Sequence, residues 1–298
     1  MDGILNIRKP QGMTSFGAVA TVRRLIGERR VGHAGTLDPD ATGVLPVCLG
    51  QGTKISAFLT DTTKVYRAQI ELGRATDTYD ASGQTTQLGD PSGISREQVL
   101  SALDAFRGLI AQTPPMFSAV KHHGKRLYEL ARAGIQVERP SRPARIDRLE
   151  LTDWQPPRLT IEVVCGKGTY IRSLAHDLGQ ALGCGATLTS LVRLRSGLFD
   201  IREAVSLSQF EDACRHGYWH RYVYPIDIVF LDWAAVIVSE AQGQLIRNGQ
   251  SLALESPARG RETEGQDCCR AYTLDGLFLG VLRFNPKNRR WHPRKVFR

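Results

Sequence analysis

The chain has 298 residues, 42% of them hydrophobic, which suits a large globular domain with a smaller companion and requires neither disulfides nor a metal for folding. Its 39 Lys and Arg against 30 Asp and Glu leave a net charge of +9, which favours a polyanionic partner. No apolar run approaches the roughly 20 residues that span a bilayer, and MDGILNIRKPQG lacks the apolar core of a secretion signal, so nucleic acid is the expected partner and a membrane is not.

In chain order, Ser15 to Ile26 carries Val19, Val22, Leu25 and Ile26 at helical spacing, with Thr14 or Ser15 as its cap. Gly32 to Gly43, GHAGTLDPDATG, reads as a loop throughout, and Pro39 biases Asp38 toward extended geometry. Lys64 to Leu72 alternates, with Tyr66, Ala68, Ile70 and Leu72 on one face, as in a half-buried strand. TDTYDASG then makes a turn. Arg96 to Phe106 is a helix capped by Ser95.

Thr113 to Pro143 is irregular and basic, with a short helix at Leu127 to Arg132, and reads as an inserted flap. Leu159 to Cys165 is a strand, broken by Gly166 and Gly168. The helix that follows begins near Tyr170, with Thr169 as its cap and Ile171, Leu174, Ala175, Leu178 and Leu182 on one face. HGYWHRYVYP reads as a linker to a small β-rich module starting at about Leu231. The mixture of strands and helices before it implies an α/β or α+β main domain.

Chemistry has four candidate locations. Asp38, on a glycine-rich loop, is a carboxylate able to act as nucleophile or base, or simply a turn residue before Pro39. Tyr66 is either a core tyrosine or a ring that stacks on a nucleobase. Arg172, in a first helical turn that disfavours cations, is either a solvated surface residue or paired with an anion, for which Asp38 is the candidate. The tail RFNPKNRRWHPRKVFR mixes Lys and Arg with Phe284, Trp291 and Phe297, suited to phosphates and stacked bases, or to a solvated charge run. No phosphate-binding loop, dinucleotide fingerprint, HExxH or GxSxG motif occurs, and His122 and His123 are adjacent, so no cofactor or metal is expected. Six cysteines without a Cys-x-x-Cys pair suit a reducing cytoplasm.

Taken in order, these segments resemble the tRNA pseudouridine synthase B family. The segments are KPQGMTS from Lys9, RVGHAGTLDPDATGVLPVCLGQGTK from Arg30, KVYRAQIELGRATDTYDASG from Lys64, TPPMFSAVKHHGKRLYELARAG from Thr113, KGTYIRSLAHDLG from Lys167 and LVRLRSGLF from Leu191. The resemblance implies a pseudouridine synthase catalytic domain over residues 1–230, built on a mixed or antiparallel sheet. It also implies an RNA-gripping insertion at about 112–143 and a PUA-like module over 231–298. Asp38 would be catalytic, Tyr66 would stack on the target base, and Arg172 would bridge to Asp38. Lys9 and Pro10 would support the pocket, Leu191 would wall it, Tyr170 would join the substrate-binding set, and His33 would lie near displaced RNA bases. Lys121, Lys125 and Arg126 in the insertion and Arg289, Arg290, Arg294 and Lys295 in the tail would contact RNA. The implied reaction isomerises the uridine at position 55 of the tRNA TψC loop by base flipping. The implied enzyme is a cytoplasmic monomer that also touches the acceptor region.

Two departures from the family pattern are Phe117 in place of Tyr and Leu-Val-Arg-Leu at 191–194 in place of Leu-Arg-Arg-Thr. Residues 255–270 fit the tail module poorly. A non-catalytic RNA-binding protein and a metal-dependent RNA phosphoryl-transfer enzyme are the alternatives. The second needs a carboxylate cluster, and Asp38 and Asp40 lack an evident third member.

Overall fold

The computed structural model describes residues 1–122, 124–254 and 267–297. The chain begins with β1 (Gly3–Lys9), α1 (Ser15–Ile26), β2 (Val31–His33), β3 (Thr42–Leu49), α2 (Ser56–Thr60) and β4 (Lys64–Leu72). Thr14, not Ser15, caps α1, its hydroxyl accepting from Gly17 N, and Gly27 closes the helix in the left-handed region. The glycine-rich segment is only partly a loop: Val31–His33 and Thr42 onward pair as antiparallel strands, which leaves 34–41 as the irregular part.

A small hairpin of β5 (Arg74–Thr76) and β6 (Thr85–Leu88) follows, then α3 (Arg96–Asp104), with the expected Ser95 cap as a full capping box, and β7 (Gly108–Gln112). The basic insertion contains a two-stranded ladder, β8 (Lys121–His122) with β9 (Lys125–Arg126), and α4 (Leu127–Arg132). Next come β10 (Arg142–Gln155), β11 (Arg158–Cys165), α5 (Ile171–Ala181) and β12 (Ala186–Ser196). Tyr170, not Thr169, occupies the cap of α5, because the Thr169 hydroxyl instead donates back to Gly166 O.

The main-sheet strands run β14-β1-β3-β12-β4-β11-β10-β7, where β13 (Phe199–Asp200), β14 (Val205–Ser206) and β15 (Val223–Tyr224) are short additions around α6 (Leu207–Arg215). The β1–β14 and β12–β3 pairings are parallel and the rest antiparallel, so the sheet is mixed, as expected. β4 lies between β12 and β11. Its Ala68 and Ile70 are fully buried beneath α5, whose Leu174, Ala175 and Leu178 have no exposed surface. Each such leucine contributes about 1.5–3 kcal/mol by leaving water. On the other half, α1 and α6 cover β1 and β3 through Val19, Val22 and Phe210.

HGYWHRYVYP is not a free linker. Val223 and Tyr224 add to the edge of β1, and Trp219 packs edge-on against Phe210. The burial of these rings outweighs the loop-like polarity of their neighbours. The small sheet is β16 (Ala234–Ile237), β17 (Cys268–Tyr272), β18 (Phe278–Asn285) and β19 (Arg290–Val296), with α7 (Glu240–Arg247) against it. An aromatic seam of Phe58, Phe230, Trp233, Phe278 and Phe297 joins it to the main body. The tail aromatics are therefore not base-stacking platforms: Trp291 and Phe297 are only 5% and 6% exposed, and Phe284 packs on Trp291. Of the poorly fitting stretch, residues 255–266 lie outside those described, whereas Cys268–Tyr272 is a regular strand.

Candidate active site

Three side chains pin the loop that carries Asp38. Ser15 exchanges hydrogen bonds with the residue before it: Leu37 N donates to Ser15 Oγ at 2.8 Å, and Ser15 Oγ lies 3.0 Å from Leu37 O. Lys9, with no exposed surface, donates from Nζ to Pro39 O at 2.8 Å, and to Pro10 O and Met13 O. Arg193, 1% exposed, donates to Val44 O at 2.7 Å and Gly35 O at 3.0 Å. The close approach that makes this last anchor possible depends on Gly43, whose φ is +101° and where a Cβ would come within 2.2 Å of Arg193 O.

Arg172 meets Asp38 in the bidentate geometry suited to a carboxylate, with Nε to Oδ2 at 2.9 Å and Nη2 to Oδ1 at 3.2 Å. Its remaining donors are also held: Nη2 reaches Phe117 O at 2.8 Å and Nη1 reaches Thr78 O at 3.3 Å, with Asp80 Oδ2 at 3.5 Å. Arg172 is 6% exposed, so it is not a solvated surface arginine. Its position in the first turn of α5 is offset by two carboxylates and two carbonyls.

The Asp38 side chain keeps 42% of its surface, which opens on a cleft of about 360 Å³. Burial among the walls of that cleft raises its pKa above the usual carboxylate value, against the opposing pull of the Arg172 charge. Tyr66, Tyr170 and Leu191 line the same cleft. Burial raises the Tyr66 phenol well clear of neutral pH, so it stays protonated. On the far side of the Asp38–Arg172 pair a second opening of about 270 Å³ shares Leu191 with the first.

Asp38, Tyr66, Arg172, Leu191 and Tyr170 are thus brought together. Lys9 lies beneath the loop as a support, and Pro10, exposed, contributes the carbonyl that Lys9 binds. His33 stands at the end of β2 and does not line the cleft, with Nδ1 buried and unpartnered and its pKa lowered by burial. Lys125 and Arg126 are exposed on β9, whereas His123 and the Lys121 side chain lie outside the described groups. In the tail, Arg289, Arg290 and Arg294 are all exposed; Arg290 also donates to Ser251, and Arg294 lies over the Phe58 ring at 4.6 Å, a contact across the aromatic seam. Lys295 is half-buried.

Sequence reasoning missed Arg193, Lys64 and Asp80. Lys64 lines the cleft, 5% exposed, and donates to Thr60 O and Thr62 O. Burial lowers its pKa to about 8. The available signal was a cation at a period-two inward position: Lys64 lies two residues before Tyr66, and Arg193 two after Leu191. Among the described residues no three of His, Cys, Asp and Glu gather as metal ligands.

The mixed sheet, with an arginine-clamped aspartate and a tyrosine facing one cleft, has the pseudouridine synthase fold. A solved Cbf5-Nop10-Gar1 complex superposes on it with a TM-score of 0.74 at 25% identity, covering 99% of this chain and 84% of that one. The chain belongs to the TruB family of pseudouridylate synthases. Residues 23–171 match the description "TruB family pseudouridylate synthase (N terminal domain)", and residues 172–230 match "tRNA pseudouridylate synthase B C-terminal domain". Curated relatives named tRNA pseudouridine synthase B include one from Dehalococcoides mccartyi, 42% identical over all of this chain and 97% of its own length. Another, from Clostridium perfringens, is 41% identical over 96% of each chain.

Proposed function

We propose that this chain isomerises one uridine of tRNA, position 55 in the TψC loop, to pseudouridine, with Asp38 as the reacting carboxylate. The observation that carries the reading is the bidentate Arg172–Asp38 pair opening on the cleft that Tyr66 and Leu191 wall. The reaction breaks the bond between uracil N1 and ribose C1′ and joins C5 to C1′; C5 gives up its proton to solvent and N1 takes one up, so substrate and product are isomers. It requires no redox change. Asp38 acts either by attacking C1′ or by removing the C2′ proton, and a carboxylate held in place by Arg172 serves both routes.

A uridine stacked in an RNA loop cannot present C1′ to a carboxylate at the bottom of a cleft, so the nucleotide is flipped out, at a cost of a few kcal/mol. Phosphate contacts offset that cost. Exposed Lys125 and Arg126 on the insertion and Arg289, Arg290 and Arg294 near the C-terminus support such contacts, with the C-terminal module, residues 231–298, in a PUA-like role toward the acceptor region. The walls of the cleft then retain the detached uracil, and excluding water protects the sugar. The proposed enzyme is a monomer of the cytoplasm; its six free cysteines suit a reducing compartment. No helix among the described residues is long and apolar enough to cross a membrane.

The test is release of tritium from C5-labelled uridine in a tRNA transcript. Wild-type protein releases the label, a transcript with cytidine at position 55 yields none, and Asp38→Asn abolishes release while tRNA binding stays within about threefold. Full turnover by Asp38→Asn overturns the assignment. Tight binding without any release by the wild type leaves a non-catalytic RNA-binding protein as the reading.

A further inference from the structure

One face of α5 touches the 76–83 loop twice. Arg172 meets Thr78 O and Asp80. One helical turn later, on the same face, the His176 ring lies parallel to the Tyr79 ring, with centroids 3.9 Å apart and an interplanar angle of 16°. Free aromatic pairs settle at 4.5–7 Å, offset or edge-on. A nearly parallel pair at 3.9 Å is one that the surrounding frame holds together.

The backbone of the loop agrees. Tyr79 has a φ of +65°, one of two non-glycine residues among those described in the left-handed region, where a bulky side chain costs about 1–2 kcal/mol. The main chain on either side is tied down: Tyr79 N donates to Thr76 O at 3.2 Å, Leu188 N donates to Tyr79 O at 3.2 Å, and Ala81 N donates to Leu188 O at 2.9 Å. This sharp reversal points the next residue back at α5. Asp80 Oδ1 is saturated within the loop by Thr78 Oγ1, Ser82 N and Ser82 Oγ, which leaves Oδ2 toward Arg172 Nη1.

We infer that the Tyr79–His176 stack is a positioning clamp, pressing the 76–83 loop on α5 so that Thr78 O and Asp80 fix the rotation of the Arg172 guanidinium on Asp38. Neither ring touches the reacting atoms, and both act through Arg172. Burial and the nearby Arg139 charge lower the His176 pKa, so the stacked imidazole is neutral. The inference rests on the proposed role of Asp38, and its test has one arm that needs turnover and one that does not.

Tyr79→Gly suits the backbone and removes the ring, and His176→Leu removes the other ring without touching the loop. Tyr79→Phe and His176→Phe keep a stack. In the tritium-release assay the first two lower kcat about tenfold, because a catalytic group displaced by a fraction of an ångström loses rate steeply. Their tRNA Kd stays within about twofold, the Phe variants stay within about twofold of wild-type kcat, and the Tyr79→Gly/His176→Leu double variant is no worse than either single. Unchanged kcat in Tyr79→Gly or His176→Leu overturns the clamp. So does a kcat loss that comes with equal loss of Tm and tRNA binding and that the Phe variants fail to rescue.

The turnover-free arm is the 15N NMR signal of Arg172 Nε–H, which Asp38 Oδ2 holds. It shifts or broadens in Tyr79→Gly and His176→Leu and is unmoved in the Phe variants. An unmoved signal in the first two overturns the clamp whatever the substrate proves to be.

Discussion

Arg193 stands directly across the β12–β4 ladder from Tyr66, and its guanidinium donates to Gly35 O in the loop that leads to Asp38 and to Val44 O in β3. One residue therefore links the strand whose ring faces the cleft to the backbone that carries the carboxylate. Removing its side chain leaves Val44 O and Gly35 O without their buried donor. Arg193→Met is expected to lower stability by about 2–5 kcal/mol, read as a Tm drop, because each orphaned buried acceptor costs about 1–3 kcal/mol. Turnover at a temperature where the variant is fully folded should still fall about a hundredfold. Wild-type kcat in folded Arg193→Met would show that this anchor does not position Asp38.

Tyr66 offers a ring and a hydroxyl, and the two are separable. Burial keeps the phenol protonated, so it is unsuited to act as a ground-state base, and the ring is the part that walls the cleft. Tyr66→Phe is expected to keep kcat within about tenfold, whereas Tyr66→Ala, which opens the wall, should lose about a hundredfold or more. A near-complete loss in Tyr66→Phe would instead assign the hydroxyl a part in proton transfer.

The residues that announce themselves in the sequence are those whose local pattern conflicts with an ordinary structural role. Asp38 sits in a loop too rich in glycine to be a plain turn, and Arg172 is a cation where a helix start disfavours one. Tyr66 was visible because its strand alternates. Arg193 was not, since in LVRLRSGLF an inward arginine looks like a variation in a strand. Only the parallel approach of β12 to β3 at Gly43 reveals that its donors meet the Asp38 loop. Asp80 was equally hidden, because its partner lies 92 residues away on α5 and no sequence spacing encodes that meeting. The aromatic tail misled for the opposite reason: interleaved Phe and Trp suit a small domain core as well as they suit stacked bases, and period-two burial decided for the core.

The basic candidates divide by what already occupies them. Lys125 and Arg126 are exposed on the insertion, with Arg126 over the neighbouring Tyr128 ring, whereas Arg290, also exposed, is bonded to Ser251 and Arg294 lies over Phe58 across the seam between the two sheets. Lys125→Ala with Arg126→Ala is expected to weaken tRNA binding and to reduce the slope of log K against log salt by about 2, leaving kcat at saturating tRNA unchanged. Arg294→Ala should instead lower Tm, with a smaller effect on that slope. Equal salt slopes for wild type and the Lys125/Arg126 variant would remove the insertion from the RNA interface.

The pH profile should separate activity from stability. Asp38 works ionised, and its raised pKa moves the acid limb of kcat above the usual carboxylate range. On the alkaline side, burial lowers Lys9 and Lys64 to about 8 from 10.5. As Lys9 loses its proton it keeps two donors for three carbonyls, and Asp38 loses a positive neighbour, so kcat should decline as pH passes about 8. Stability runs the other way for these two groups. Between about 8 and 10.5 the unfolded chain holds protons that the folded chain has released, so their contribution to folding grows with pH. The measurement is kcat and Tm on the same samples from pH 7 to 9.5. The expected result is falling kcat while Tm holds or rises. A Tm that drops in step with kcat would mean that the alkaline loss is unfolding and not the uncharging of Lys9.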